Sequence, residues 1–350
     1  MRGLKLSDKK LGEFFDNYYK IPFLSFLRDI KDIIYSKTAY DFVLSNSSED
    51  WKLWPYLKFL EKERIIKVKK SGIVSLLKKD IIKVIPKPQT ENEIKEKIKK
   101  KLKTRVEEEE SVVNLFKKFR DFKTKAKWDQ MPISQGSAIF VTKKILEKIP
   151  LNKKFLFVGD DDFISVILGI VEPNIESLVI DADEELLNCL NILAKKFNLR
   201  IETRKIDIRK EKAPHQNFGG GFIGFLTNPV YTEAGVKEFV KYGKEQLGED
   251  GGIIFLEVGD EAIGNRFLFL QDFFTKNNFI INEIITEKVF YPYIELYRED
   301  KEILKRLSSV GIDEKVIKNS PKLAASLWIF EYLPQKPERV KFKKPIYAYL

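Results

Sequence analysis

Between Asp8 and Tyr35 the apolar positions Leu11, Phe14, Phe15, Tyr18 and Tyr19, then Phe23, Leu24 and Leu27, recur at the three-to-four spacing of amphipathic helices. Pro22 falls inside this run and predicts two helices, because proline lacks the N–H and clashes with the preceding turn. Asp50 is placed to cap a further helix, Trp51 to Lys62. Ile65–Lys69 and Ile73–Leu77 then flank Lys70-Ser71-Gly72, a hairpin signal. Helices followed by a small hairpin predict a winged helix-turn-helix-like unit. Pro86-Lys87-Pro88 breaks the pattern, and a charged stretch containing Glu107–Glu110 runs to about Lys125. It reads as a helix or linker with a solvated face.

From residue 126 short apolar runs alternate with amphipathic segments. Strands are predicted at Phe155–Val158, Ser177–Ile180, Arg200–Glu202, Phe222–Leu226 and Gly252–Leu256, with later ones at Ile280–Thr286 and Leu327–Phe330. Glu184–Asn198 and Glu233–Leu247 have helical spacing. This alternation predicts a Rossmann-like, doubly wound α/β sheet over 126–350, preceded by the winged-helix-like unit and its charged linker over 1–125. In such sheets ligands sit beyond the carboxyl ends of the strands.

Charge divides the chain in the same place. Residues 1–125 hold 31 basic and 19 acidic side chains, and residues 126–350 hold 32 and 33. The basic excess therefore belongs to the N-terminal part, and the net charge of +11 does not describe one nucleic-acid-binding surface. Within the second part, Phe155 to Ala194 has no Lys or Arg but carries Asp160, Asp161, Asp162, Glu172, Glu176, Asp181, Asp183, Glu184 and Glu185. Crowded carboxylates raise one another's pKa values and favour a cationic ligand. Cys189 is the single cysteine, which excludes an intrachain disulfide and a zinc cluster. With no apolar run of spanning length and no signal-peptide pattern, the expectation is a cytosolic protein. Richness in Lys, Glu and Ile fits a thermophile, and equally an AT-rich genome.

The candidate chemistry lies in the loops after the predicted strands. Gly159-Asp160-Asp161-Asp162 follows the first, Asp181–Asp183 the second, Asp207 the third and Asn228-Pro229-Val230-Tyr231 the fourth. An acid at the place of Asp181 commonly accepts from ribose hydroxyls, although helix N-caps use Asp as well. Asp207 is placed to meet an adenine amino group or to cap its own loop. Together these positions resemble the fold of S-adenosylmethionine-dependent transferases, with Asp161 and Phe163 where a small residue is usual. An ordinary methyl donor carries a carboxylate that three aspartates would repel. Its decarboxylated form leaves only an ammonium, which they would attract. Helix capping accounts for one or two of the three aspartates. Asn228-Pro229-Val230-Tyr231 is similar to the Asn/Asp-Pro-Pro-Tyr motif of enzymes that alkylate an amino nitrogen, and Tyr231 offers a π face to a cation. Trp128 to Ser134 reads as an ordered approach segment, with Asp129 a candidate member of the acidic site. His215 reads as a surface loop residue, Cys189 as core, Gly219–Gly221 as a flexible approach to a strand, and the aromatic tail Pro345–Leu350 as folding over a ligand or neighbour.

Asp129-Gln130 with Pro132-Ile133-Ser134, then Val158–Asp162, Val179–Glu184, and Thr227–Thr232 with Gly235, resemble the branched-chain polyamine synthases, the N(4)-bis(aminopropyl)spermidine synthases of archaea and thermophilic bacteria. The resemblance covers roughly 126–350. The family usually has Asp-Pro-Pro-Tyr, where this chain has Asn228 and Val230. The resemblance implies an aminopropyltransferase with decarboxylated S-adenosylmethionine as co-substrate, no tightly bound cofactor and no metal. It implies ribose on Asp181 or Asp183, adenine near Asp207, and Gly159 and Asn228 beside the donor. Spermidine would meet Asp129, Asn228, Pro229 and Tyr231, with Asp160, Asp161 or Asp162 as the base. A homodimer is the expected assembly. Two other readings stay open: an amino-directed methyltransferase acting on nucleic acid or protein, and a winged-helix regulator that senses a nucleoside. Nucleic acid bound through the basic N-terminal part belongs to these and is not favoured, since phosphate would be repelled near the acidic loops.

Overall fold

A computed structural model of the chain describes residues 87–150, 153–211, 221–249, 251–292 and 323–334, with shorter pieces between 57 and 77 and between 305 and 311. The predicted helices within 8–35, His215 and the C-terminal aromatic tail lie outside the described residues. Of the predicted helix at 51–62, residues 57, 58 and 60–62 are helical. The hairpin is present: β1 (Ile66–Val68) pairs antiparallel with β2 (Val74–Leu76), Ile66 opposite Leu76.

The charged stretch after Pro88 contains more structure than a solvated face. Thr90 and Glu93 form a reciprocal capping box that starts helix α1 (Glu91–Leu102), and its Ile94, Ile98 and Leu102 are buried. A short helix α2 (Val112–Phe116) follows, then α3 (Gln135–Lys148), capped by Ser134. The sheet begins with β3 (Lys154–Val158), followed by α4 (Ile164–Val171) and β4 (Glu176–Asp181). Every residue of α4 is buried, which requires cover on both sides; α1 and α3 pack against it from outside the sheet. Lys97 ties α1 to α4 by donating from Nζ to the Val171 carbonyl.

Helix α5 (Glu184–Phe197), β5 (Ile201–Lys205), β6 (Phe222–Thr227), α6 (Glu233–Lys244) and β7 (Gly252–Val258) complete the parallel part. The one-turn α7 (Asp260–Ile263) and helix α8 (Phe267–Lys276) lead to the long strands β8 (Phe279–Tyr291) and β9 (Leu323–Tyr332). The strand order is β5-β4-β3-β6-β7-β9-β8. β9 runs antiparallel to both neighbours, so β8 points the same way as β7 and delivers Tyr291 to the carboxyl end of the sheet. The expected doubly wound α/β architecture is therefore the observed one, with each predicted strand found within a few residues.

Period-two alternation explains how the sheet builds two cores. Phe155 and Phe157 of β3 join the cluster with α1, α3, α4 and α5, while Leu156 and Val158 join the cluster with α6 and α8. Both faces are covered, hence the near-continuous apolar runs of the parallel strands. Order at the strand ends follows from this burial, at about 1.5–3 kcal/mol per large side chain.

One position tests the central packing. The register of β3 against β6 shifts after Lys154, and a Cβ on Gly224 there would lie 2.3 Å from the Ile253 carbonyl oxygen of β7. Gly224→Ala is expected to destabilise the fold by about 1–3 kcal/mol, as overpacking does. Denaturant unfolding checks this; an unchanged midpoint would contradict the packing described.

Candidate active site

Gly159, at φ +81, turns the chain out of β3 in a conformation that a side chain would strain. The turn aims the next three carboxyls in three directions. Asp160 points back under α4 and accepts from the backbone N–H groups of Ile164 (2.9 Å) and Ser165 (3.2 Å). It is buried, does not line the cleft, and serves the N–H groups that open α4. Asp161 faces the cleft and accepts from the Met131 N–H through Oδ2 (2.9 Å). Asp162 is buried, accepting from the Ile133 N–H (2.7 Å) and from the Asn228 amide (3.0 Å). Phe163 then adopts a left-handed conformation at φ 53. Strain of about 1–2 kcal/mol is expected there. Its ring stacks on Phe116 at 5.4 Å and meets Phe122 at 5.6 Å, which holds it. The bulky residue of the first loop is thus core and does not crowd the nucleoside side.

The approach segment is a strap over these loops. Its N–H groups on either side of Pro132 serve Asp161 and Asp162, and Asp129 lines the cleft at φ 56. Burial raises the Asp129 pKa. Gln130 and Lys125 both hold Asp183: the Gln130 amide donates at 3.0 Å and the Lys125 ammonium at 2.7 Å. Asp183 also caps α5 and does not line the cleft. Its oxygens are engaged by the Lys125 ammonium, the Gln130 amide and the Glu185 N–H. Asp181 does line the cleft. Its Oδ1 accepts from the Asp183 N–H (2.7 Å), while Oδ2 lies toward Gly159. Asp207 lines the cleft too, but both its oxygens are taken by Arg209 at 2.7 Å each, and that ion pair pulls its pKa down to about 2. Arg209 in turn lies over the Trp128 ring at 5.3 Å. The cavity between strap and loops has a volume of about 170 Å³.

Behind Asp162 stands a residue that sequence reasoning passed over. Glu257, in β7, is fully buried and meets Asp162; apart from that carboxyl, no described group hydrogen-bonds its oxygens. Burial, then Asp162, raises Glu257 well above the usual carboxylate range, whereas Asp162 is raised only to about 6. Asp162 already accepts from the Ile133 N–H and the Asn228 amide while Glu257 accepts from no described donor, so the proton that two touching carboxyls share belongs on Glu257. Its sequence signal was one charged residue inside an otherwise apolar strand. Tyr291, also unpredicted, pairs its hydroxyl with the Asn228 amide (3.0 Å) and with the Tyr231 hydroxyl. Pro229 is buried at the turn that presents Asn228 and Tyr231. Burial, followed by Asp162, Asp181 and Asp160, raises Asp161 well above the usual range. Asp181 is raised to about 6, mainly by burial. Lys127 and Arg209 are the cationic side chains at the cleft, both on its outer rim. The floor is acidic, and a cation entering it would restore the ionised carboxylates.

The model of the Branched-chain polyamine synthase A C-terminal domain family matches residues 111–339. An uncharacterized protein of Methanocaldococcus jannaschii is 32% identical over 145 residues, covering 41% of this chain and 36% of that protein. N(4)-bis(aminopropyl)spermidine synthase of the same organism is 32% identical over 97 residues, 27% of each chain. The chain thus spans about a third of the length of the curated relatives it matches. Among solved structures, the branched-chain polyamine synthase of Thermus thermophilus, in complex with N4-aminopropylspermidine and 5'-methylthioadenosine, aligns with TM-score 0.50 at 17% identity over 93% of this chain and 92% of its own. Its C9 mutein, with the same two ligands, gives TM-score 0.52 at 17% identity over 87% of each chain. At that identity the likeness is one of fold.

The raised Asp181 has a consequence for stability. A carboxyl whose folded pKa exceeds its unfolded value stabilises the fold below the unfolded pKa and loses that contribution as pH rises through the folded one. Between about pH 4 and 6 the wild type loses this contribution, and Asp181→Asn does not. The melting temperature of Asp181→Asn relative to wild type is expected to rise by a few degrees from pH 4 to pH 8. Scanning calorimetry checks the sign.

Proposed function

This chain belongs to the branched-chain polyamine synthase family, and on that premise we propose that it transfers aminopropyl groups from decarboxylated S-adenosylmethionine to the central secondary amine of spermidine. One observation carries the reading. Asp161, Asp181 and Asn228 line a single cleft, with the carboxyls of Asp160, Asp162 and Glu257 packed behind Asp161. Such a floor suits two cationic reactants and opposes an anionic one.

Asp181 Oδ2 accepts from the ribose, and the adenine lies along Ile206–Ile208 beside the Asp207–Arg209 pair. The acceptor arrives as an ammonium ion against Asp161, and Tyr231 supplies a π face and a hydroxyl nearby. Asp161, with its proton affinity raised by burial and by its neighbours, takes the proton from the central amine. The freed lone pair forms the new N–C bond at the carbon next to sulfur. The C–S bonding pair stays on sulfur, which leaves as the neutral thioether of methylthioadenosine. Asp161 releases that proton to solvent through the cleft it lines, then takes the proton of the tertiary ammonium, and a second attack gives the quaternary product. Asp162 remains ionised against the Asn228 amide and the protonated Glu257, holding negative charge beside the new cation. Asn228 thus serves through its donor, where the family's usual Asp would add a further negative charge.

Asp161→Asn is expected to lower kcat by about 10²- to 10⁴-fold, the usual range for loss of a general base, with little change in methylthioadenosine affinity. Asp160→Asn should act mainly on stability. Mass spectrometry of products from spermidine and decarboxylated S-adenosylmethionine reads the activity; undiminished turnover in Asp161→Asn removes the base assignment. Calorimetric titration with the two forms of S-adenosylmethionine is expected to favour the decarboxylated one, and the opposite preference overturns the polyamine reading.

A further inference from the structure

We propose that Gln130 is a positioning residue that couples the nucleoside half of the cleft to the acceptor half; this rests on the function proposed above. Gln130 is only 6% exposed, and its amide uses both of its ends. Oε1 accepts from the Lys125 N–H at 2.9 Å, and Nε2 donates to Asp183 Oδ2 at 3.0 Å. An amide has its donor and acceptor in fixed, opposed positions, so one orientation of the side chain satisfies both partners. The strap is therefore closed on itself and pinned to the loop after β4 by the same group.

The contacts continue on either side without a break. The Asp183 N–H donates to Asp181 Oδ1 at 2.7 Å, which fixes the carboxylate that faces the nucleoside. On the strap, the residue after Gln130 donates its N–H to Asp161 at 2.9 Å, and Ile133 donates to Asp162 at 2.7 Å. A line of hydrogen bonds thus runs from Asp181 through Asp183, Gln130 and Met131 to Asp161. Lys125 also reaches Asp183 and Glu185, but from the partly exposed flank and as a flexible point charge. Gln130 supplies the direction.

A cation that settles against Asp161 redistributes the hydrogen bond that this carboxylate accepts from the strap. Because Gln130 is rigidly shared, the strap cannot adjust at Met131 without moving Asp183 and hence Asp181. The first ligand to order the strap lowers the ordering cost left to the second, and the coupling is reciprocal. A glutamate at position 130 would lose the donor and set a carboxylate against Asp183. An alanine would leave the partly buried Lys125 N–H and one Asp183 oxygen without this partner.

The test is a set of calorimetric titrations with 5'-methylthioadenosine, in the absence and presence of saturating spermidine. In the wild type, spermidine is expected to tighten methylthioadenosine binding by about fivefold or more, within the usual range of such couplings. In Gln130→Ala each ligand still binds, and the coupling falls below about twofold. Gln130→Glu loses it too, whereas the double exchange Gln130→Glu with Asp183→Asn, which swaps donor and acceptor, restores it. Coupling that survives in Gln130→Ala, or a loss that the exchange does not restore, overturns the inference, because a role in stability alone predicts one of these. A wild type that binds both ligands independently overturns this inference and leaves the proposed function standing. One that binds neither overturns both.

Discussion

Burial of several carboxyls at one end of a parallel sheet is the constraint around which this molecule is arranged. Desolvation of an isolated carboxylate is strongly unfavourable, and a protein meets it by hydrogen bonding, by sharing protons or by reserving the place for a cation. The first two devices are present in the turn that follows β3, and the proposed function supplies the third. Asp160 receives the free N–H groups at the start of α4. Asp162 receives the Asn228 amide and the proton of Glu257. Asp161 receives a single backbone N–H and opens to the cleft.

The strap from Lys125 to Ser134 makes this arrangement tolerable. It carries N–H donors to Asp161 and Asp162 at alternate residues, with Pro132 between them removing a donor that would point elsewhere. Its ends are anchored in different parts of the fold. Lys125 and Gln130 hold Asp183 at the start of α5, and Ser134 caps α3 and donates its N–H to the Phe290 carbonyl of β8. Loops after β3, β4, β6 and the end of β8 thereby meet under one segment. The buried helix α4 beneath them needs α1 and α3 as cover, which ties the site to residues well before the sheet.

Legibility of the site followed how local each signal was. Gly159–Asp162 was readable as a cluster because three like charges in a row after an apolar strand are rare and costly. The division of labour among them was not, since it depends on which way Gly159 turns the chain. Asp181 and Asp183 looked interchangeable at a spacing of two, yet one faces the cleft and the other faces Lys125. Asp207 was read as an adenine contact or a cap of its own loop, and the neighbour that engages both its oxygens, Arg209, sits only two residues away. Glu257 escaped notice as one charged residue in an apolar strand and Tyr291 as the last residue of a long mixed one, and the meaning of each comes from partners far along the chain.

By itself the sequence determined the alternation of strands and helices, the doubly wound sheet and the acidic character of its loops. Those features arise from period-two and three-to-four patterning and from runs of like charge, which neighbours in sequence settle among themselves. Tertiary structure alone decided which carboxyl is capped, which shares a proton and which is open. It also decided that Phe163 belongs to the core, that α1 covers α4, and that Gln130 joins the strap to Asp183 after β4. Apart from the Asp160 cap, which is local, each of these depends on a hydrogen bond or a burial between groups tens of residues apart, and such proximity exists only once the sheet has brought its strand ends together.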